Sequence, residues 1–281
     1  MSVWHHMRGM VLALVVLVSA PAAAQAETDV DLELILAVDV SWSMDPDEQR
    51  LQRDGYVEAF RDPHVVRAIQ SGPRGRIAVT YFEWAGPDIQ FMVVPWTVID
   101  GAVAAADLAA TLGERQISRH RMTSISSALQ YAARQLDASP YRGARRVIDV
   151  SGDGPNNAGP SPVTRIRDEL VRRGIVINGL PIMLKVGLPS GYGWGQDLPD
   201  LDVYYATCVI GGPGSFMIPI RTRAEFATAT RQKLLQEISS APQSRVTRVQ
   251  APSLVPPAAS GSDCEIGEKN WRRDFPGWQR F

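Results

Sequence analysis

The chain has 281 residues, of which 45% are hydrophobic and 21% are charged. This composition is typical of a globular protein with a substantial core, and it excludes a disordered or fibrous chain. The formal net charge is −1, so basic residues do not outnumber acidic ones, and nothing in the composition indicates binding to nucleic acid.

The N-terminus has the pattern of a secretory signal peptide over residues 1–26. Arg8 precedes an apolar run between Met10 and Val18, and Ala26 ends an A-x-A cleavage pattern. The run is too short to span a membrane, and no later stretch is long enough, so we expect no membrane span in the mature chain. We therefore predict a periplasmic or secreted protein that is cleaved near Ala26.

The mature chain alternates between predicted strands and predicted helices. The predicted strands cover residues 34–38, 76–82, 89–94, 146–151, 175–180 and 216–220. The predicted helices cover residues 46–61, 100–112, 125–136, 161–174 and 222–238. This alternation predicts a doubly wound, Rossmann-like α/β fold with a mostly parallel sheet. The short turn at residues 86–88 predicts one antiparallel strand at the edge of the sheet.

The composition divides the mature chain into a domain and an extension. We predict one domain over residues 27–240, followed by a proline- and alanine-rich linker and a C-terminal extension over residues 241–281. Cys208 and Cys264 are the only cysteines. In an exported chain they are expected to form a disulfide, with two unpaired buried thiols as the alternative. A disulfide would hold part of the extension against the domain.

Oxygen-bearing side chains gather at three places where predicted strands end or a predicted helix begins. Asp39, Ser41 and Ser43 form an Asp-x-Ser-x-Ser pattern directly after the first strand. Thr123 precedes a helix, and Asp153 follows a central strand. Ligands of open α/β sheets bind beyond the carboxyl ends of the strands, so we expect these side chains to meet there. Their oxygens suit Mg²⁺, with Mn²⁺ or Ca²⁺ as alternatives, and they disfavour zinc.

In order and approximate spacing, these five residues resemble the metal-ion-dependent adhesion site (MIDAS) of the von Willebrand factor A (vWA) domain. The chain looks most like a group of exported bacterial proteins of that type whose function is unassigned. The resemblance implies that Ser41 and Ser43 bind Mg²⁺ directly and that Thr123 joins them when a ligand is engaged. It implies that Asp39 and Asp153 act largely through bound water. An ion held by neutral hydroxyls attracts an external carboxylate, so a protein or peptide partner with an exposed acidic group is expected.

Other residues near the pattern have more than one interpretation. Arg119, His120 and Arg121 precede the threonine, and they either help to receive an acidic partner or form a solvated loop. Asp149 is predicted to be a buried carboxylate paired with an arginine rather than a metal ligand. Trp84, Tyr192 and Trp194 are predicted to lie in loops, where they would contribute to a binding surface.

The leading functional hypothesis is an exported module that binds a partner through a metal-bridged carboxylate. A magnesium-dependent hydrolase is disfavoured, because phosphatases of the dehalogenase type place a second, acidic aspartate where this chain has Ser41. The mature chain has no H-E-x-x-H, G-x-S-x-G or P-loop pattern, so we expect no catalytic residues. A scaffold subunit of an envelope complex, in which the metal serves stability alone, is the other alternative.

Overall fold

The computed structural model describes residues 28–185, 198–239 and 262–274. Within these ranges the chain folds into one sheet with helices on both faces. The predicted signal peptide and the linker at residues 241–260 lie outside the described residues. No helix in the described ranges combines the length and the apolar character that crossing a bilayer requires.

Five strands form the sheet, in the order β3-β2-β1-β4-β5. They are β1 (Thr28–Asp39), β2 (Ile77–Trp84), β3 (Gln90–Ile99), β4 (Tyr141–Gly152) and β5 (Val176–Pro181). The pairs β1·β2, β1·β4 and β4·β5 are parallel, whereas β3 is antiparallel to β2 at one edge. The predicted fold, a mostly parallel sheet with one antiparallel edge strand, is confirmed.

The helices connect the strands and cover the sheet. They are α1 (Pro46–Arg61), α2 (Pro63–Gln70), α3 (Ala102–Glu114), α4 (Ile125–Asp137), α5 (Val163–Arg172), α6 (Leu201–Tyr204), α7 (Phe226–Ser239) and α8 (Ile266–Asp274). A capping box stands at the start of α1. The Asp45 side chain accepts the backbone amide of Glu48, and the Glu48 side chain accepts the amide of Asp45.

The central strand β1 is buried on both faces because it lies between two hydrophobic cores. Leu34 and Leu36 point into the core beneath α1, α2, α3 and α7. Ile35 and Ala37 alternate with them and point into the core beneath α4, α5 and α6. This double burial explains the continuous apolar run in the sequence. It also fixes the position of Asp39, which ends the strand at the carboxyl edge of the sheet.

Two predictions of secondary structure are wrong, one for a segment and one for a single residue. Residues 216–220 do not form a strand, because only isolated bridges join Met217 to Gly179 and Ile220 to Ile182. The amides of Ile218 and Ile220 donate to the carbonyls of Gly179 and Pro181, but Pro181 on β5 has no amide to donate to Ile218, so a continuous ladder is interrupted there. Trp84 is not in a loop, since it ends β2 and is fully buried, whereas Tyr192 and Trp194 lie outside the described residues.

Asp149 is buried as predicted, but its predicted arginine partner is wrong. Lys233 on α7 places its Nζ 2.6 Å from Asp149 Oδ1 and 2.5 Å from Glu237 Oε1. Tyr56 donates a hydrogen bond to the other Asp149 oxygen at 3.2 Å. The sequence shows Lys233 and Glu237 one helical turn apart, but it does not show that α7 presents them to β4. Burial raises the pKa of Glu237 to about 7, against the opposing effect of Lys233.

Cys208 and Cys264 are joined by a disulfide, with their Cα atoms 5.5 Å apart. This confirms the leading prediction over the alternative of two unpaired thiols. Cys208 lies in a π-helical turn, Tyr205–Val209, that continues α6. The bond therefore holds the start of the C-terminal extension, and with it α8, against the α5 and α6 side of the domain.

Candidate metal site

The Asp-x-Ser-x-Ser segment turns sharply after β1 and brings its alternate side chains together. Asp39 Oδ1 accepts the backbone amide of Ser41 at 2.6 Å, the hydrogen bond of an Asx turn. The hydroxyl oxygens of Ser41 and Ser43 lie 2.8 Å apart. Turn formation therefore uses one carboxylate oxygen of Asp39, and the other remains available to the site.

Asp153 reaches the same place from the loop after β4. Since β1 and β4 are neighbouring parallel strands, their carboxyl ends lie side by side. Ser43 Oγ donates a hydrogen bond to Asp153 Oδ1 at 2.5 Å. The pKa of Asp39 is raised well above its usual value, first by burial and then by the negative charge of Asp153. Two carboxylates are thus buried at one point, where a cation would be favoured.

Thr123 approaches the group from a third segment. The backbone amide of His120 donates to the Val40 carbonyl at 3.0 Å, which places this segment beside the turn after β1. Two hydrogen bonds join Thr123 and Asn157. The Thr123 amide donates to Asn157 Oδ1 at 2.8 Å, and the Asn157 amide donates to the Thr123 carbonyl at 2.8 Å. Met122, next to Thr123, has a φ of 68°, a strained backbone for a residue other than glycine.

The structure therefore links four of the five predicted residues by direct hydrogen bonds. The chain of bonds runs from Asp39 through Ser41 and Ser43 to Asp153. Thr123 is attached to the Asp153 loop through its backbone, and in the described residues its hydroxyl makes no hydrogen bond to the other four. All three segments that the sequence analysis selected meet at the carboxyl edge of the sheet.

One buried atom tests whether these residues fit a cation. Asp39 Oδ2 is buried and has no hydrogen-bond partner among the described residues. An unsatisfied buried acceptor of this kind costs about 1–3 kcal/mol. Gly152 leaves the space beside it open, since a Cβ there would lie 2.7 Å from Asp39 Oδ2. An unsatisfied carboxylate oxygen next to two hydroxyls and a second carboxylate fits a hard divalent cation.

This donor set differs from sites made of histidine, cysteine and several acids. In the described part of the chain, no group of three or more His, Cys, Asp or Glu side chains is placed to hold a metal ion. The candidate site instead combines two carboxylates with hydroxyl groups. Neutral hydroxyls are the feature that would leave a bound ion with much of its charge.

Two further residues at the site, Lys185 and Glu48, were not predicted from the sequence. Lys185 Nζ donates to the backbone carbonyl of Ser43, and it lies 2.5 Å from Glu48 Oε2 and 3.2 Å from Asp153 Oδ2. The Lys185 side chain is 16% exposed, so this ammonium is largely withdrawn from solvent. No motif marks a lysine so far along the chain from the Asp-x-Ser-x-Ser pattern. Glu48 already has a local role in the capping box of α1, so its position in the sequence gives no sign of this contact.

The surface beside the site is cationic and aromatic. Arg119 donates to the Trp42 carbonyl at 2.6 Å, and the guanidinium carbon of Arg121 lies 4.6 Å from the centroid of the Trp42 ring. The rings of Phe91 and His120 lie 5.0 Å apart, and Phe91 is 44% exposed. Both arginines are exposed and Trp42 is half-exposed. We call these five residues the rim.

The sheet order and the flanking helices are those of a vWA-type fold, with the Asp-x-Ser-x-Ser segment at its carboxyl edge. A structure of proximal thread matrix protein 1 from the mussel byssus, with a zinc-occupied MIDAS motif, matches at 15% identity and a TM-score of 0.53, over 74% of this chain and 46% of that chain. The pilus adhesin SpaC from Lactobacillus rhamnosus GG, in its open conformation, matches at 14% identity and a TM-score of 0.52, over 76% of this chain and 30% of the adhesin. The conserved hypothetical protein BatB from Bacteroides thetaiotaomicron matches at 18% identity and a TM-score of 0.50, over 74% of this chain and 97% of BatB.

These identities show a shared fold, and this chain spans less than half the length of the mussel and pilus proteins. The predicted resemblance to vWA domains is confirmed. The chain belongs to the family described as "Protein of unknown function (DUF1194)", which matches residues 29–242. No curated protein matches it in sequence. The MIDAS motif of the mussel protein holds zinc, so zinc is not disfavoured in that protein as it was predicted to be in this chain.

Proposed function

We propose that this protein is an exported binding module that holds a divalent cation, with Mg²⁺ as the first candidate, and uses it to capture an acidic group of a protein or peptide partner. The proposed ligand set is Asp39, Ser41, Ser43, Thr123 and Asp153. The observation that carries the proposal is the unsatisfied Oδ2 of buried Asp39, at one end of a hydrogen-bond chain that leads to Asp153.

The chemistry of the ligands supports a carboxylate as the external group. When bound, the cation would supply a Lewis-acidic position that an outside oxygen can complete. Ser41 and Ser43 are neutral donors, and Asp153 is already paired with Lys185. The first turn of α4 begins two residues after Thr123 and adds partial positive charge at the same edge. An anionic ligand is therefore favoured over a neutral one.

The rim supports a macromolecular partner. Exposed Arg119 and Arg121 complement acidic residues on a partner and would steer its approach. Trp42 and Phe91 offer aromatic surface, which interfaces with proteins are enriched in. Two of the similar structures carry names of extracellular binding or matrix proteins, an adhesin and a thread matrix protein.

We also propose that the protein is not an enzyme. Ser41 stands where the dehalogenase-type phosphatases need a carboxylic acid, and a serine hydroxyl does not protonate a leaving group at neutral pH. In the described residues, neither histidine lies against the hydroxyls in the arrangement of a nucleophile and its base. The His64 ring contacts Asp62, and the His120 ring lies against Phe91.

The experiment is a capture assay with the mature protein and a solubilised extract of the native cell envelope. Wild type is compared with Ser41→Ala and Asp153→Asn, each with Mg²⁺ and with a chelator, and Ser71→Ala on the exposed end of α2 is the matched control. A partner should be retained by wild type and Ser71→Ala in Mg²⁺ and lost in the other conditions. Its binding should then be reproduced with purified components.

Two results would contradict the proposal. Identical captured proteins in all conditions would show that the site does not bind the partner. Calorimetry showing no uptake of Mg²⁺, Mn²⁺ or Ca²⁺ by folded wild type would remove the cation itself. If the cation raises the free energy of unfolding while capture does not change, the scaffold alternative is favoured.

A further inference from the structure

The described part of the C-terminal extension packs onto the loop that carries Asp153. The disulfide between Cys208 and Cys264 tethers this segment, and α8 begins two residues after Cys264. Cys264 and Ile266 are partly buried against the hydrophobic core on the α4 and α5 side of the sheet. The segment at residues 262–274 follows the part of the chain that the family match covers.

Asn156 is the main polar contact between this segment and the loop. Its side chain is fully buried, and Oδ1 accepts the backbone amide of Ser126 at 2.9 Å. Its Nδ2 donates to the Ala158 carbonyl at 3.0 Å and to Glu268 Oε1 on α8 at 2.7 Å. The Asn156 amide donates to the Tyr204 hydroxyl at 3.1 Å. Asn156 therefore connects α4, α6 and α8 at one buried position.

Gly267 brings the backbone of α8 directly against the loop. A Cβ at this position would lie 2.0 Å from the Asn156 carbonyl oxygen and 3.1 Å from Pro155 Cγ. Real Cβ atoms do not approach a backbone oxygen so closely, so any side chain here would push the loop and the helix apart. Glycine is required by this close approach rather than by its own backbone conformation.

The loop that α8 covers is also the loop that builds the candidate metal site. Asp153 lies three residues before Asn156 and accepts the Ser43 hydroxyl. Asn157 directly follows Asn156 and is joined to Thr123 in both directions. The contact from α8 thus falls between the points where the loop attaches to the two other segments of the site. A shift of the loop at Asn156 would move Asp153 relative to Thr123.

We propose that the disulfide-tethered segment, residues 262–274, is a positioning element of the metal site. Through Gly267 and Glu268 it holds Asn156, and through the loop it sets the separation of Asp153 from Thr123. The inference rests on the proposed cation binding and adds that a part of the chain outside the family domain determines the affinity.

The test compares two glycine substitutions with the disulfide intact in the mature full-length protein. Gly267→Ala inserts a methyl group at the close contact, whereas Gly113→Ala on α3 meets no atom within 4 Å and is the matched control. Calorimetric titration with Mg²⁺ alone should show affinity reduced about tenfold or more in Gly267→Ala and unchanged in Gly113→Ala. A tenfold change corresponds to about 1.4 kcal/mol.

A second pair of variants keeps the inference falsifiable if Gly267→Ala does not fold. Glu268→Ala removes the acceptor for Asn156 Nδ2, and Glu268→Gln retains an oxygen at the same distance along the side chain. We expect Glu268→Ala to weaken Mg²⁺ binding severalfold and Glu268→Gln to restore most of it. A purely structural role would lower stability in Glu268→Ala without changing the affinity of the folded protein.

The outcomes separate the two proposals. If wild type binds Mg²⁺ and the affinity is the same in Gly267→Ala and Glu268→Ala, the positioning role is wrong and the proposed function stands. If wild type takes up no divalent cation, both are wrong. Loss of affinity in Gly267→Ala and Glu268→Ala, with binding intact in Gly113→Ala and Glu268→Gln, is the result that the structure predicts.

Discussion

Replacing Lys185 with methionine removes a positive charge from the candidate cation site while keeping an unbranched side chain that is one atom shorter. In the structure, the Lys185 ammonium balances Glu48 and Asp153, and it also caps the Ser43 carbonyl. A divalent cation at the same carboxylates would have to share Asp153 with this ammonium or displace it. We therefore expect Lys185 to lower the affinity of the site for metal ions.

The magnitude follows from the distance and the burial. At 3.2 Å from Asp153 Oδ2, the ion pair has a Coulomb attraction of about 5 kcal/mol at an effective dielectric constant of about 20, and part of this is offset by desolvation. Without the ammonium, Glu48 and Asp153 stay buried without a counter-charge. The Lys185→Met variant should therefore unfold with a free energy lower by about 2–4 kcal/mol in the presence of a chelator.

Metal binding should respond in the opposite direction. Because a cation would now supply the missing counter-charge, Mg²⁺ should bind Lys185→Met about 10- to 100-fold more tightly than wild type, which corresponds to about 1.4–2.8 kcal/mol. The assays are calorimetric titration with Mg²⁺ and urea unfolding with a chelator and with saturating Mg²⁺. Lys185→Arg keeps the charge and is the control, with affinity near that of wild type. Equal or weaker Mg²⁺ binding by Lys185→Met would refute the reasoning.

Three further predictions concern pH, the disulfide and the rim. Burial raises the pKa of Glu237 from 4.5 to about 7, so the folded protein holds this proton more tightly than the unfolded chain, and stability should fall as pH rises through that interval. The free energies of unfolding of wild type and Glu237→Gln are to be measured with urea at a series of pH values. The value for wild type minus the value for Glu237→Gln should fall by about 3 kcal/mol as the pH rises through this interval. A difference that does not depend on pH would contradict the prediction. Replacing both Cys208 and Cys264 with serine should lower the free energy of unfolding by about 3–4 kcal/mol in the same assay under non-reducing conditions, and equal stability of the two proteins would show that the bond contributes nothing. Arg119→Gln should slow association of a captured acidic partner severalfold at low salt and have little effect at high salt, as measured by surface plasmon resonance, whereas unchanged kinetics at both salt concentrations would exclude the rim from binding.

The fold could be predicted because its signals are local. An apolar run buried on both faces, capping residues at the start of α1 and a short turn before β3 each depend on neighbours in sequence. The alternation of these signals restricts the topology, since parallel strands need crossover helices. The segment at residues 216–220 was assigned wrongly, because its apolar character gives no sign that its neighbour in the sheet, Pro181, lacks the amide that a continuous ladder needs.

The candidate site was predictable to the extent that it follows strand ends. Asp39, Ser41, Ser43 and Asp153 meet because parallel neighbouring strands end at one edge of the sheet. Thr123 was placed by the start of α4, and its attachment to Asn157 was not foreseen.

The sequence alone thus determined which segments carry oxygen ligands and at which edge of the sheet these segments lie. Only the tertiary structure showed that Lys185 balances Asp153, that Lys233 rather than an arginine pairs with Asp149, and that α8 rests on Asn156. These contacts join residues that lie 32, 84 and 111 positions apart in sequence. Local periodicity contains no information about such pairs, because the packing of helices and loops selects among many residues of suitable charge and size.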